Sequence, residues 1–125
     1  MMKKHLGILC SLILVLAFTA CGTDFDGSRT GNSNEFMMNY KVFNKMDSQE
    51  LVVEEGEIIH AEIVVEDGSL SFRIQKDDEV PVYEGVDVSV SDEFDVEIEE
   101  SGTYTVTVTG KKAKGSVSFT VVTNQ

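Results

Sequence analysis

Carboxylates carry most of the chemistry this chain offers. Asp95, Glu97 and Glu99 alternate with Phe94, Val96 and Ile98. On a strand they stand on one face about 7 Å apart in succession, a separation that the two carboxylates of an inverting glycosidase use. Every acidic strand face has that spacing, and the chain has no tryptophan to stack on a sugar. A solvated face is therefore the expectation. Asp77, Asp78 and Glu79 fall in one acidic loop, with Asp92 and Glu93 in another. Calcium, a hard cation that takes about six to eight oxygen ligands, often staples loops of secreted domains. These five residues are its candidate ligands, although they lack the fixed ligand spacing of an EF-hand.

The remaining reactive residue types are few. His60 is the one histidine beyond residue 5, which excludes a multi-histidine metal site and leaves a hydrolytic triad only if His60 itself serves. It falls mid-strand on the less apolar face, the place of a partly exposed structural histidine. Lys111, Lys112 and Lys114 crowd the stretch between the last two predicted strands. They are candidates for meeting an anionic partner, whether an envelope polymer, an acidic protein or anionic lipid, or are simply solvated. Glycine-rich phosphate cradles and nucleotide fingerprints are absent, and no cofactor is implied. The expectation is a protein that is not an enzyme.

The elements that must position these residues are strands. In residues 93–122, Phe94, Val96 and Ile98, then Tyr104, Val106 and Val108, then Val117, Phe119 and Val121 alternate with Asp, Glu, Ser and Thr. Period two gives each segment one apolar and one polar face, the pattern of antiparallel strands over a core. Further segments follow the same rule: residues 35–44 through Phe36, Met38, Tyr40 and Val42; 49–54 through Leu51 and Val53; and 57–66 through Ile59, Ala61, Ile63 and Val65. Asp67-Gly68 is a strong hairpin signal, and residues 69–75 place Leu70, Phe72 and Ile74 inward. Short strands are expected at 80–83, where Pro81 suggests a sheet edge, and within 85–92 through Val86, Val88 and Val90. The fold class predicted is all-β, an antiparallel two-sheet β-sandwich of about eight strands. A sheet lined by exposed Tyr40, Phe43 or Tyr83 would favour a ligand-binding role.

At 125 residues, with 22 acidic residues against 10 basic, the chain has room for one domain. Residues 1–5 are a basic head and 6–20 an apolar run shorter than the roughly 20 residues that cross a bilayer. They read as a signal peptide spanning residues 1–20. Loss of Lys3 and Lys4 with it leaves 8 basic residues against 22 acidic, a balance of −14, which disfavours both nucleic acid and anionic lipid as partners of the body of the domain. Cys10 lies in that leader, so only Cys21 survives and no disulfide is expected. Residues 21–34, with Gly, Ser, Thr, Asn and Asp predominant, are expected to form a flexible tether, and residues 35–123 the sandwich.

Phe18-Thr19-Ala20-Cys21 resembles the lipobox of bacterial lipoproteins; Thr19, Ala20 and Cys21 match, while Phe18 replaces the usual aliphatic residue. The resemblance implies acylation of the Cys21 thiol and a membrane anchor on the extracytoplasmic face. From about Phe36 onward, a second resemblance is carried by Val53-Glu54-Glu55-Gly56-Glu57, Asp67-Gly68-Ser69-Leu70, Val82-Tyr83-Glu84-Gly85, Phe94-Asp95-Val96, Ser101-Gly102-Thr103-Tyr104 and Ala113-Lys114-Gly115-Ser116-Val117. The order is similar to small bacterial lipoprotein sandwiches and, more distantly, to the GOLD domain of cargo-trafficking proteins. It implies a jelly-roll-like domain that binds other proteins. The cysteine pair, coiled coil and transmembrane helix of the cargo proteins are missing, so their trafficking role does not carry over. The expected function is a lipid-anchored, non-catalytic binding module with a protein or envelope-polymer partner. The alternatives are a carbohydrate- or calcium-binding accessory to an envelope enzyme and a structural envelope lipoprotein.

Overall fold

The computed structural model describes residues 23–123; the predicted leader and Cys21 lie outside them. Seven antiparallel strands make up the fold: β1 (Phe25–Gly31), β2 (Glu35–Phe43), β3 (Met46–Val53), β4 (Ile58–Lys76), β5 (Tyr83–Val88), β6 (Asp92–Glu97) and β7 (Gly102–Val122). The prediction of an antiparallel all-β domain holds, and the sheet does not close into a barrel. Among the described residues no helix is long and apolar enough to cross a membrane.

Two strands, β4 and β7, are far longer than the sequence suggested, and they make the sandwich. They pair with each other from Ile58↔Val122 to Lys76↔Tyr104, and the ladder is interrupted around Asp67. Residues 58–65 of β4 and 115–122 of β7 form one layer, flanked by β6 on one side and by β2 and then β1 on the other. Residues 69–76 and 102–111 form the second, flanked by β5 and β3. The hydrogen-bonded sheet thus folds over on itself at a corner made by both strands together.

The sequence of the corner explains how the core stays inside. In β4 the buried positions are Ile59, Ala61 and Ile63 before the corner and Leu70, Phe72 and Ile74 after it; in β7 they are Tyr104, Val106 and Val108, then Ala113, Val117 and Phe119. Odd gives way to even in one strand and even to odd in the other. Irregular residues at a bulge bend a strand and shift its alternation, and because both strands shift together their pairing resumes unchanged. Gly68 (φ +72°) and Gly115 (φ +146°) are required here: a Cβ on Gly68 would fall 2.2 Å from the Lys112 carbonyl oxygen, and one on Gly115 would fall 1.9 Å from that of Val64.

These observations correct three expectations. Asp67-Gly68 does not turn a hairpin, because the opposing strand bends with it. Lys111, Lys112 and Lys114 do not form a loop between two strands but lie within β7; the continuity of β4 and β7, and a single strand β5 in place of the two short ones expected, are partly offset by β1 and leave seven strands. The predicted tether contains strand β1, paired with β2 from Phe25↔Phe43 to Gly31↔Phe36. Its polar composition suits a sheet edge, where one flank and one face meet water.

Long-range contacts close both open sides of the sandwich. On the β1 side Arg29 crosses to the other layer: Nε donates to Asp47 Oδ2 at 2.8 Å, Nη2 donates to the Ser48 carbonyl at 2.8 Å, and the guanidinium lies 4.8 Å from the Phe36 ring centre. On the opposite side Tyr83 of β5 stacks on Phe94 of β6 with centroids 4.2 Å apart, and Phe72 stacks on Phe94 at 5.5 Å. Tyr104 ties the start of β7 down by donating its hydroxyl to the Glu100 carbonyl at 2.5 Å, an arrangement resembling the tyrosine corner of other sandwiches.

Candidate functional site

Strand pairing, not proximity in sequence, assembles the densest polar cluster. On the outer face of the first layer His60 stands directly opposite Asp95, and Glu62 opposite Glu93. Alternation along each strand puts all four side chains on that face. His60 Nδ1 donates to Asp95 Oδ1 at 2.5 Å, while Nε2 lies 3.1 Å from Glu93 Oε2 and 3.5 Å from Glu62 Oε1. The hydrogen bond to Asp95 chiefly raises the imidazole pKa above its usual range, the Glu62 bond and the charges of Asp95 and Glu93 add to it, and partial burial opposes them. The cluster therefore favours an imidazolium bridging three carboxylates.

His60 Nε2 and one oxygen each of Glu62 and Glu93 lie within 4.8 Å of one another, near enough to close on a divalent ion. A nitrogen with carboxylate oxygens is a donor set for zinc more than for calcium. Among the described residues the side chains bonded to the imidazole are all carboxylates, and all three are more than half exposed, so the arrangement holds a proton or a cation without the dry cleft that general acid–base chemistry uses.

The sequence-predicted residues disperse over the molecule. Asp77, Asp78 and Glu79 follow β4 at the end of the sandwich away from the corner, where the Glu79 amide donates to the Lys76 carbonyl. Asp92 pairs with Ile63 near the corner, and Glu93 joins His60. The two acidic loops are thus not brought to one calcium site. Glu97 and Glu99 remain exposed, and among the described residues only Asp95 of that trio has a cationic partner. Tyr40 and Phe43 are core residues, not a ligand platform; burial pushes the Tyr40 phenol up to about 12. Tyr83 spends its ring on Phe94. Cys21 lies outside the described residues.

The lysines gather where the sheet bends. Lys111 reaches Asp87 at 2.8 Å, and Lys112, at φ +50°, donates its amide to Asn44 Oδ1 at 3.0 Å. Lys41, Asn44, Asp67, Lys112 and Lys114 line an open groove of about 400 Å³, and the first described residue, Thr23, is also in its wall. The Asn44 amide donates to the Asp24 carbonyl at 2.7 Å. The chain thus enters the fold at its lysine-bearing corner.

Sequence reasoning placed His60 and Glu62 on one face and Asp95 on another strand's polar face, but alternation carries no information on which strands are neighbours. Exposed apolar side chains form a second feature it missed: Val80, Val82, Val86 and Val90 are 84%, 47%, 71% and 72% exposed, all on the segment that carries edge strand β5. In comparisons with known proteins the chain matches no family model, and no curated protein matches it.

Proposed function

We propose that this protein is a membrane-anchored extracytoplasmic lipoprotein whose β-sandwich is a non-catalytic module for binding another protein. The observation that carries the binding reading is the valine-rich β5 flank. Soluble domains usually blunt a sheet edge with lysine or cover it. Here Val80, Val82, Val86 and Val90 are left in water beside an edge strand that hydrogen-bonds on one side only, to β4. An extended peptide laid along β5 would gain main-chain hydrogen bonds and cover those side chains, the mode of strand addition. The lipobox-like Phe18-Thr19-Ala20-Cys21 supports the anchoring part.

Crosslinking in intact cells followed by pull-down tests both parts. The parent should fractionate with membranes and capture a protein that a Val82→Asp/Val86→Asp variant of equal melting temperature does not capture. Capture of the same proteins by that variant would reject the β5 flank. A clear glycan-array hit with no protein captured would favour the carbohydrate-binding alternative. Cys21→Ala should move the protein out of the membrane fraction; its retention there would reject the thiol anchor.

A further inference from the structure

We infer that the corner of the sandwich is a docking surface for anionic phospholipid headgroups, with Lys41, Lys112 and Lys114 against the phosphates. The inference rests on the anchoring reading above and adds to it the attitude of the domain on the membrane.

Geometry comes first. Cys21 precedes Thr23 by two residues, which span at most about 7 Å when extended. Thr23 lies in the wall of the groove formed by Lys41, Asn44, Lys112 and Lys114, and Asp24 is already bonded to Asn44. An acyl group on Cys21 therefore leaves the corner within roughly one Debye length, about 8 Å at physiological salt, of the headgroups. The long stand-off that residues 22–34 would allow as a tether is removed by the pairing of β1 with β2.

Charge points the same way. Of the eight Lys and Arg residues in the described chain, Lys41, Lys45, Lys111, Lys112 and Lys114 are at the corner or on the strands entering it. They face the carboxylates Asp24, Asp26, Glu66, Asp67, Asp87 and Asp92, of which Asp87 already pairs with Lys111. The opposite end carries Glu54, Glu55, Glu57, Asp77, Asp78, Glu79, Glu97, Glu99 and Glu100, with Lys76 bound to Glu100. The groove, where Lys41, Lys112 and Lys114 stand with Asp24 and Asp67, is slightly positive on a corner close to neutral as a whole, while the far end is strongly negative. An anionic surface attracts the first and repels the second, standing the domain on its corner with the acidic end outward. Lysine suits this role because its aliphatic stem spans the last few ångströms while the ammonium meets phosphate.

The test uses the full-length protein purified with its own N-terminal modification, placed in vesicles of phosphatidylcholine alone or with phosphatidylglycerol. Lysine acetylation is then followed residue by residue by mass spectrometry. Lys41, Lys112 and Lys114 should react about fivefold more slowly on the phosphatidylglycerol vesicles, the preference that one net positive charge near such a surface confers. Lys76 should not change, and high salt should abolish the difference. In Lys41→Glu/Lys112→Glu/Lys114→Glu, Lys45 and Lys111 should react equally on both vesicles. Equal reaction of the parent's corner lysines on both vesicles, with Cys21 acylated, would overturn the docking surface alone. An unmodified Cys21 thiol in the same spectra would overturn the anchor and the docking surface together.

Discussion

Replacing Gly115 by alanine tests the folded-over sheet most directly, because the position is demanding only if β4 and β7 run unbroken through the corner. At φ +146° an L-residue is strained, at a cost of about 1–3 kcal/mol. The new Cβ would fall 1.9 Å from the Val64 carbonyl oxygen, so one strand must move away. The ladder hydrogen bonds around Val64 and Val65 are the ones lost, at about 1 kcal/mol each. With two such bonds, these give roughly 3–5 kcal/mol, a large share of the margin of a domain this size. Gly56→Ala is the control: φ is +90° there, but nothing lies within 4 Å of the added atom, so only the conformational cost of about 1–2 kcal/mol applies. At roughly 4–8 °C per kcal/mol, thermal melts followed by circular dichroism should place Gly115→Ala about 12–40 °C below the parent. Gly56→Ala should fall by about 4–16 °C. If residues 66–68 and 111–115 were separate solvent-facing turns, the two variants would cost the same. A Gly115→Ala midpoint no lower than that of Gly56→Ala would therefore refute the continuous corner.

Two further outcomes follow from the edges and the outer face. Arg29→Ala removes the bonds to Asp47 and Ser48 and the cover over Phe36. It should cost about 1–2 kcal/mol and speed amide hydrogen exchange in residues 25–31 while leaving residues 104–108 protected; unchanged exchange in 25–31 would count against β1 as a pinned edge strand. Arg29→Lys should restore little, since an ammonium lacks the fork that reaches both partners. For His60, the folded-state pKa lies above the unfolded value, so its stabilising contribution is complete below the usual imidazole range and is lost as pH rises through the folded pKa. With a third of the side chain in solvent, the gain is that of an exposed ion pair, about 0.2–1 kcal/mol. The melting advantage of the parent over His60→Gln should be a few degrees at pH 5.5 and should shrink by pH 8.5, and an advantage that grows with pH would contradict the imidazolium cluster.

How much of the molecule was legible beforehand depends on whether a feature is local to the chain. Phe72, Val106 and Phe119, read as inward from alternation alone, are all buried, because a strand's period is a property of its own backbone. Glycine chemistry was local too, but ambiguous: Asp67-Gly68 supplies a positive φ, which a hairpin and a bulged corner both need. The decision belonged to residues 111–115, more than 40 positions later. The Phe25–Gly31 strand was misread as tether because polarity measures how little a segment can bury, and an edge strand needs to bury little once Arg29 and the β2 ladder hold it.

From the sequence alone came the all-β class, the inward residues, the acidic excess and the lipobox-like context of Cys21. Only the tertiary structure decided that β4 and β7 each serve both layers, that His60 faces Asp95 and Glu93, and that Thr23 enters beside Lys41, Lys112 and Lys114. The physical reason is that alternation, composition and turn propensity are written along one dimension. Register across a sheet, and the approach of charges brought together by a fold, depend on which segments bury their apolar faces against each other.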